Sequence, residues 1–281
     1  MDWFEETLWP DWAQRMPVTR VLYRDKTEHQ DLVVFETPRW GRVLALDGVV
    51  QTTAADEFVY HEMLVHVPVL AHGDVRDLLI IGGGDGGSLR EALRHPSIHR
   101  VTQVEIDRGV IDFCKAYLPS LSDGAFDDRR ARIVIADGAR YAAECQDRYD
   151  VVIVDSTDPQ GPGAVLFTED FYRHCRRLLR PGGVMTTQCG NPAMHPGELV
   201  ETQARQRAAG FAAVSYYFAP VPTYVGGSMA LGFATDDPAR LGVTADTLRQ
   251  RAIPPALRHY TPEIHAGAFA HPAWMAARVG Y

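Results

Sequence analysis

The chain is poor in cysteine, short of positive charge and without a long apolar run. Only four cysteines occur in 281 residues (Cys114, Cys145, Cys175 and Cys189), and no two have CxxC spacing. That spacing gives no support for a zinc site or a disulfide framework; reduced thiols in a cytoplasmic protein are expected. Lysine and arginine number 28 against 36 aspartates and glutamates, a formal charge of −8. A nucleic-acid-binding surface needs a basic face to neutralise phosphates, so no nucleic-acid partner is expected. An acidic chain suits small cationic ligands better. No stretch of about 18 uncharged apolar residues occurs, so neither a transmembrane helix nor a membrane partner is expected. The opening MDWFEETLWPDW lacks the basic start and apolar run of a signal peptide. Its Trp3, Phe4, Trp9 and Trp12 are expected to dock on the body of the protein or on a sister subunit. Repeats and low-complexity segments are also missing.

What is present has two textures. Residues 18–53 alternate in short β-rich runs (VTRVLYRD, DLVVFETP, GRVLALDGVVQTT) broken by Pro38-Arg39-Trp40-Gly41 and Asp47-Gly48. This predicts a small antiparallel sheet of hairpins. Residues 56–72 space their apolar positions helically, with Pro68 expected to kink or shorten the helix. From residue 75 apolar strands alternate with amphipathic helices: strands at 77–83, 101–107, 131–137 and 150–156, helices at 87–94, 108–117, 138–145 and 168–179. Arg180-Pro181-Gly182-Gly183 is expected to end the last helix, before a strand at 184–189. A helix at 196–209 and strands near 213–219 and 228–235 follow. The expected fold class is α/β: a Rossmann-like domain with a mostly parallel sheet and helices on both faces, plus a small N-terminal antiparallel β-domain. The division falls at 1–55 and 56–281.

Ligands of open parallel sheets bind beyond the C-terminal strand ends. Each of the first four ends here carries a carboxylate: Asp85 in the loop Gly82-Gly83-Gly84-Asp85-Gly86-Gly87, then Glu105 and Asp107, Asp137-Gly138, and Asp155 with Asp158. Such an acid is either a solvated loop residue or a positioned charge. Gly82, Gly84 and Gly87 satisfy GxGxxG, with Glu105 at the spacing of a dinucleotide fingerprint. Asp85, however, places a negative charge where a diphosphate would sit. A positively charged nucleoside without phosphate, a sulfonium, fits better. Glu105 would accept both ribose hydroxyls. Asp137 would accept from an adenine amino group, with Gly138 allowing close backbone approach. This is the pattern of S-adenosylmethionine-type folds.

Together with VDSTDPQGPGAVLFT, these residues resemble the polyamine aminopropyltransferases, the spermidine synthase family. The matching segments include HQDLVVFE, GRVLALDGVVQTT, DEFVYHEM, LLIIGGGDGG, LLRPGGV, VPTY and YTPEIHAGAFAHP, spanning roughly residues 18–272. The resemblance implies aminopropyl transfer from decarboxylated S-adenosylmethionine to putrescine, giving spermidine and 5′-methylthioadenosine by direct displacement. The donor is a co-substrate; no permanently bound cofactor and no metal are expected. A homodimer or homotetramer is implied. Asp155 matches the family's proton acceptor, and Asp158 would hold the amine beside it, with Ser156 and Thr157 between them. Tyr60, His61 and Tyr224 match residues along the amine channel, and Gln30 and Pro162 match residues near the methylthioadenosine moiety. The decarboxylated donor keeps only an ammonium, which Asp85 would pair with while repelling a carboxylate.

The chain departs from the family pattern at Thr53-Ala54-Ala55, Gln160, His271 and 188–193, where an acid often follows the glutamine. The changes at 160 and 188–193 bear on which amine is accepted. A small-molecule methyltransferase on the same fold, or an inactive polyamine- or nucleoside-binding protein, would share much of this pattern. The former leaves Asp85 and the DxxDP pair without a purpose.

Overall fold

The computed structural model describes residues 2–27, 30–157 and 161–279, with backbone alone at 161, 162 and 279. Its N-terminal part is antiparallel. β1 (Asp2–Glu5) pairs with β2 (Arg15–Val18). β3 (Arg20–Lys26), β4 (Asp31–Thr37), β5 (Gly41–Leu46) and β6 (Val49–Thr53) form a four-stranded meander. The β5–β6 turn has both central residues at positive φ, Asp47 at 49° and Gly48 at 81°. That geometry matches the twist of a tight hairpin and explains the Asp-Gly pair. The hairpin made by β1 and β2 was not expected, because its acidic-aromatic sequence lacks strand alternation. Period-two alternation divides the meander's faces. Leu32, Val34, Leu44 and Leu46 pack against Val110, Phe113 and Leu118 of the following domain, while Val33, Phe35, Val43 and Ala45 pack with Met16 of β2.

α1 (Glu57–His72) leads into the second part and continues past Pro68 to His72, without the expected shortening. Fourteen of its sixteen residues are buried, so packing on every side holds it despite the missing N–H. There follow β7 (Asp77–Gly82), α2 (Gly87–Leu93), β8 (Arg100–Glu105), α3 (Arg108–Tyr117), α4 (Pro119–Ser122), β9 (Ala131–Ile135), α5 (Gly138–Glu144), β10 (Tyr149–Asp155), α6 (Glu169–Leu178), β11 (Leu179–Gln188), α7 (Pro196–Ala208), β12 (Ala213–Ala219) and β13 (Met229–Thr235). The chain then turns through α8 (Ala245–Arg249), α9 (Pro262–Ala268) and α10 (Ala273–Val279).

The seven-stranded sheet has the order β12-β13-β11-β10-β7-β8-β9. The five strands from β11 to β9 are mutually parallel; β13 and β12 add antiparallel at one edge. Leu78, Ile80, Val151 and Ile153 face α1 and α2, and Leu79, Ile81, Val152 and Val154 face α5 and α6. These near-continuous apolar runs are what burial on both faces requires. One boundary differs from expectation. Arg180–Gly183 lies within β11 as a register shift, since Tyr149 pairs with Leu179 but Val151 with Val184. Proline and glycine in a strand mark a bulge, and Arg180 fills it with ion pairs to Asp77 (2.7 Å) and Asp150 (2.9 Å). Among the described residues no helix is long and apolar enough to cross a membrane.

Candidate active site

β7 is the first strand of the parallel set, and its successors run off on both sides, β8 on one and β10 on the other. The strand order therefore reverses between β7 and β10, which is where open α/β sheets bind ligands. Gly82 and Asp155 are direct neighbours across that seam. Gly82 has φ of +88°, and a Cβ on it would lie 2.1 Å from the Asp155 carbonyl oxygen. Only glycine allows the two strand ends to meet this closely. The N–H of Gly83 then donates to that carbonyl at 2.8 Å.

Asp155 is held from two helices. Tyr60 of α1 donates its hydroxyl to Oδ1 at 2.8 Å, and Ser88 of α2 donates to Oδ2 at 2.6 Å. Burial raises the carboxyl pKa, the charge on His61 opposes this, Asp85 raises it again, and the two hydroxyls lower it; the net direction is upward. Asp155 is thus more basic than an ordinary carboxylate, as a general base needs.

Beside it runs a chain of charges. His61 places Nδ1 2.6 Å from Glu57 and Nε2 3.3 Å from Asp85. Burial disfavours the imidazolium, but Asp85 and Glu57 outweigh it and push His61 well above its usual pKa. Glu57 in turn accepts from both terminal nitrogens of Arg90, at 3.2 and 2.9 Å. Burial also opposes ionisation of Asp85, yet His61 and the Gly87 N–H (2.8 Å) hold its pKa below the ordinary value. Asp85 therefore shares its charge with His61 in the free protein.

On the other side of the glycine loop, β8 ends at Glu105. Asp107 lies beyond the strand and caps α3, accepting from Gly109 N at 2.8 Å. Glu105 Oε1 accepts from Asp107 N at 2.9 Å. Burial is the largest influence on Glu105 and carries its pKa from 4.5 to about 7, against the backbone donors that lower it. Gln30 reaches over from the meander, with Nε2 3.4 Å from Asp107 Oδ2, and Thr27 donates to the same oxygen at 2.7 Å. Asp137 caps α5, accepting from Arg140 N at 2.8 Å.

Asp155, Tyr60, His61, Asp85, Glu105, Gln30 and Asp137 border one cavity of about 680 Å³. Its lining includes Gln30, Gly82, Gly84, Glu105, Asp137 and Gly138. Tyr60, His61, Asp85, Asp155, Ser156, Thr157 and Tyr224 line it too. Asp158 lies outside the described residues, and of Pro162 only the backbone is described. Tyr224 packs edge-on to Tyr60 at 5.7 Å and donates to Gln51 O at 2.6 Å.

The sequence missed several residues of this site: Ser88, which holds Asp155, and others that line the cavity. Ser88 follows the glycine loop and looks like a helix-start serine. Trp9 was expected to dock on the protein or a subunit; it lines the cavity instead, while Phe4 stacks on Phe35 and Trp3 and Trp12 are about half exposed. Glu6, His195 and Glu198 also line it, brought from elements whose sequence carries no motif. Among the described residues no group of three or more His, Cys, Asp or Glu is placed to hold a metal ion.

Comparison with known proteins agrees with this geometry. Residues 57–241 match the family model of the spermine/spermidine synthase domain, and residues 2–54 that of the spermidine synthase tetramerisation domain. The chain is 51% identical over 279 residues to polyamine aminopropyltransferase 1 of Pseudomonas aeruginosa, covering 99% of this chain and 97% of that one. It is 52% identical over 275 residues to the polyamine aminopropyltransferase of Ruegeria sp., covering 97% and 96%. Among solved structures it resembles a spermidine synthase in complex with the transition-state analogue AdoDATO, with a TM-score of 0.94 and 37% identity over 99% of this chain and 94% of that one. The spermidine synthase of Thermotoga maritima gives 0.93 and 36%, over 100% and 94%.

Proposed function

The chain belongs to the spermine/spermidine synthase family, and we propose that it transfers the aminopropyl group of decarboxylated S-adenosylmethionine to putrescine with Asp155 as the base. A primary amine attacks the methylene next to the sulfonium, and neutral 5′-methylthioadenosine leaves. Free diamines are protonated near neutral pH, with pKa values of about 10, so the attacking nitrogen must first lose a proton. Asp155 supplies the acceptor at the strand seam where the two substrates meet. The observation that carries this reading is the pair of hydroxyls from Tyr60 and Ser88 aiming a buried, basic Asp155 into the cavity that Glu105 and Asp137 also line.

Glu105 would hold the ribose hydroxyls and Asp137 the adenine amino group, with Gly82, Gly84 and Gly138 letting the backbone close on the nucleoside. Gln30, fixed on Asp107, would cover the same end, as would Pro162. Tyr60, His61, Asp85 and Tyr224 would line the path of the amines, with Ser156, Thr157 and Asp158 beside the base. Orientation of two substrates in a closed cavity, without a covalent intermediate, supplies the rate. The division at 1–55 and 56–281, assembly as a homodimer or homotetramer through the N-terminal part, and cytoplasmic location belong to the same proposal.

The test is product identity. The protein is incubated with decarboxylated S-adenosylmethionine and, separately, putrescine, cadaverine, agmatine and spermidine. Methylthioadenosine is expected, fastest with putrescine. Its absence with every amine overturns the reading, and S-adenosylhomocysteine formed from ordinary S-adenosylmethionine would establish a methyltransferase.

A further inference from the structure

His61 carries a carboxylate on each ring nitrogen: Glu57 Oε2 lies 2.6 Å from Nδ1, and Asp85 Oδ2 lies 3.3 Å from Nε2. An ionised carboxylate only accepts, so both nitrogens must hold a proton and the ring is an imidazolium. A neutral ring would turn a lone pair onto one of the two acids. Packing holds the ring in place. A Cβ on Gly87 would lie 2.3 Å from its Cε1 and 2.4 Å from Nδ1, so it rests on backbone that only a glycine leaves open. The Tyr60 ring packs edge-on against it at 5.3 Å.

The two acids have different surroundings. Asp85 lines the cavity, while Glu57 does not. Glu57 is buried and gripped by Arg90, whose Nη2 donates at 2.9 Å to the same oxygen that His61 uses. Arg90 is itself fixed, by Nε to Glu91 Oε1 at 2.8 Å and by Nη1 to Leu121 O at 2.5 Å. Asp85, His61, Glu57 and Arg90 thus alternate in sign and sum to no charge. Asp155 at the tip of β10 is the next acid, and the His61 charge favours its ionised form against burial and Asp85. Cys114 of α3 also feels the charge of Asp85, and burial keeps its thiol protonated.

A change at Glu57 reaches the site through the ring. With an amide in place of Glu57, a neutral ring satisfies both neighbours: Nδ1 accepts from the amide, and Nε2 still donates to Asp85. His61 then gives up its buried charge, and Asp155 loses a cation that holds it ionised. Resting on the aminopropyl-transfer reading, we infer that Glu57, outside the cavity and anchored by Arg90, is a positioning residue that acts through His61: it keeps the ring charged and aimed at Asp85, and so keeps Asp155 free of a proton and ready to take one from the attacking amine.

The charge is read by NMR of the protein labelled with nitrogen-15 histidine, the His61 signals being those lost in His61→Gln. In the wild type they are expected at imidazolium positions at pH 7.5, where an ordinary histidine is neutral. A neutral ring there overturns the inference without any variant. In Glu57→Gln the ring is expected to be neutral at the same pH. The acid limb of kcat/KM for putrescine then moves to higher pH by about one pH unit, the lower end of what a lost neighbouring charge does, with the high-pH plateau largely kept. Glu57→Asp keeps the charge and is expected to return the limb toward its wild-type position, which covers poor folding of the Gln variant. In a His61→Gln background, Glu57→Gln is expected to leave the limb where it is. A charged ring in Glu57→Gln, a loss uniform across pH, or the same limb shift without His61 each overturns the inference. A wild type that forms no methylthioadenosine counts against the transfer reading alone, since the NMR comparison needs no turnover.

Discussion

The Tyr60 hydroxyl donates to Asp155 Oδ1 at 2.8 Å, tying the buried helix α1 to the tip of the central strand β10. The bond stabilises the carboxylate form and so lowers the pKa that burial raises. A base must be unprotonated to accept a proton. Tyr60→Phe therefore moves the acid limb of kcat/KM to higher pH, with the largest loss at low pH and partial recovery as pH rises. A pH–rate profile checks this, and a loss uniform across pH would show that Tyr60 only packs.

Asp155→Asn removes the acceptor and keeps the shape. Turnover is expected to fall by roughly 10²- to 10⁴-fold, the usual contribution of a positioned base, while methylthioadenosine still binds by calorimetry. Near-wild-type turnover would remove Asp155 as the base.

Asp85 is shared between His61 and the space where the donor ammonium would lie. Asp85→Asn is expected to weaken binding of the decarboxylated donor and to narrow discrimination against ordinary S-adenosylmethionine, whose carboxylate it no longer repels. Competition between the two nucleosides in the transfer assay measures this, and unchanged discrimination counts against it.

Glu105 carries a cost in the free protein. Its pKa rises from 4.5 to about 7 on folding, so between those values the folded state holds a proton that the unfolded state has lost. Stability is full below 4.5 and falls as pH climbs through 7. At about 1.4 kcal/mol per pH unit the loss is on the order of 3 kcal/mol. Glu105→Gln is expected to stabilise the ligand-free protein above pH 7 and to abolish the stabilisation given by methylthioadenosine. Urea unfolding at pH 5 and pH 8, with and without the nucleoside, separates the two effects. In the wild type, ribose hydroxyls favour the ionised form. Nucleoside binding should then release protons near pH 6.5, which calorimetry in buffers of different ionisation enthalpy detects.

Glu62 lies behind the site on α1 and is 1% exposed. It accepts three backbone N–H groups, those of Arg258, His259 and Tyr260, each at 2.8 Å. Glu62→Ala leaves three donors without this acceptor and is expected to cost about 3 kcal/mol in urea unfolding. A loss under about 1 kcal/mol would show that water replaces the carboxylate freely.

The reading from sequence succeeded where chemistry and local pattern coincide. The GGGDGG loop, Glu105, Asp137-Gly138 and Asp155 each follow an apolar strand, and parallel topology must gather such strand ends at one edge. The Asp47-Gly48 turn and the alternating meander were legible for the same reason. Where burial outweighs local preference, the pattern misled. Pro68 sits in a helix that continues past it because neighbours surround it, and Arg180–Gly183 joins a strand because Arg180 finds Asp77 and Asp150 across the sheet.

The sequence by itself determined the alternation of elements, the row of strand-end acids and hence the negative sign of the site, because these depend on residue type and short spacing. Only the tertiary structure decided which groups meet those acids. Ser88 and Tyr60 reach Asp155 from positions 67 and 95 residues away. Trp9 and Glu198 line one cavity from widely separated positions in the chain. Contacts between elements so far apart depend on how helices and hairpins pack over the sheet, and no local periodicity encodes that distance.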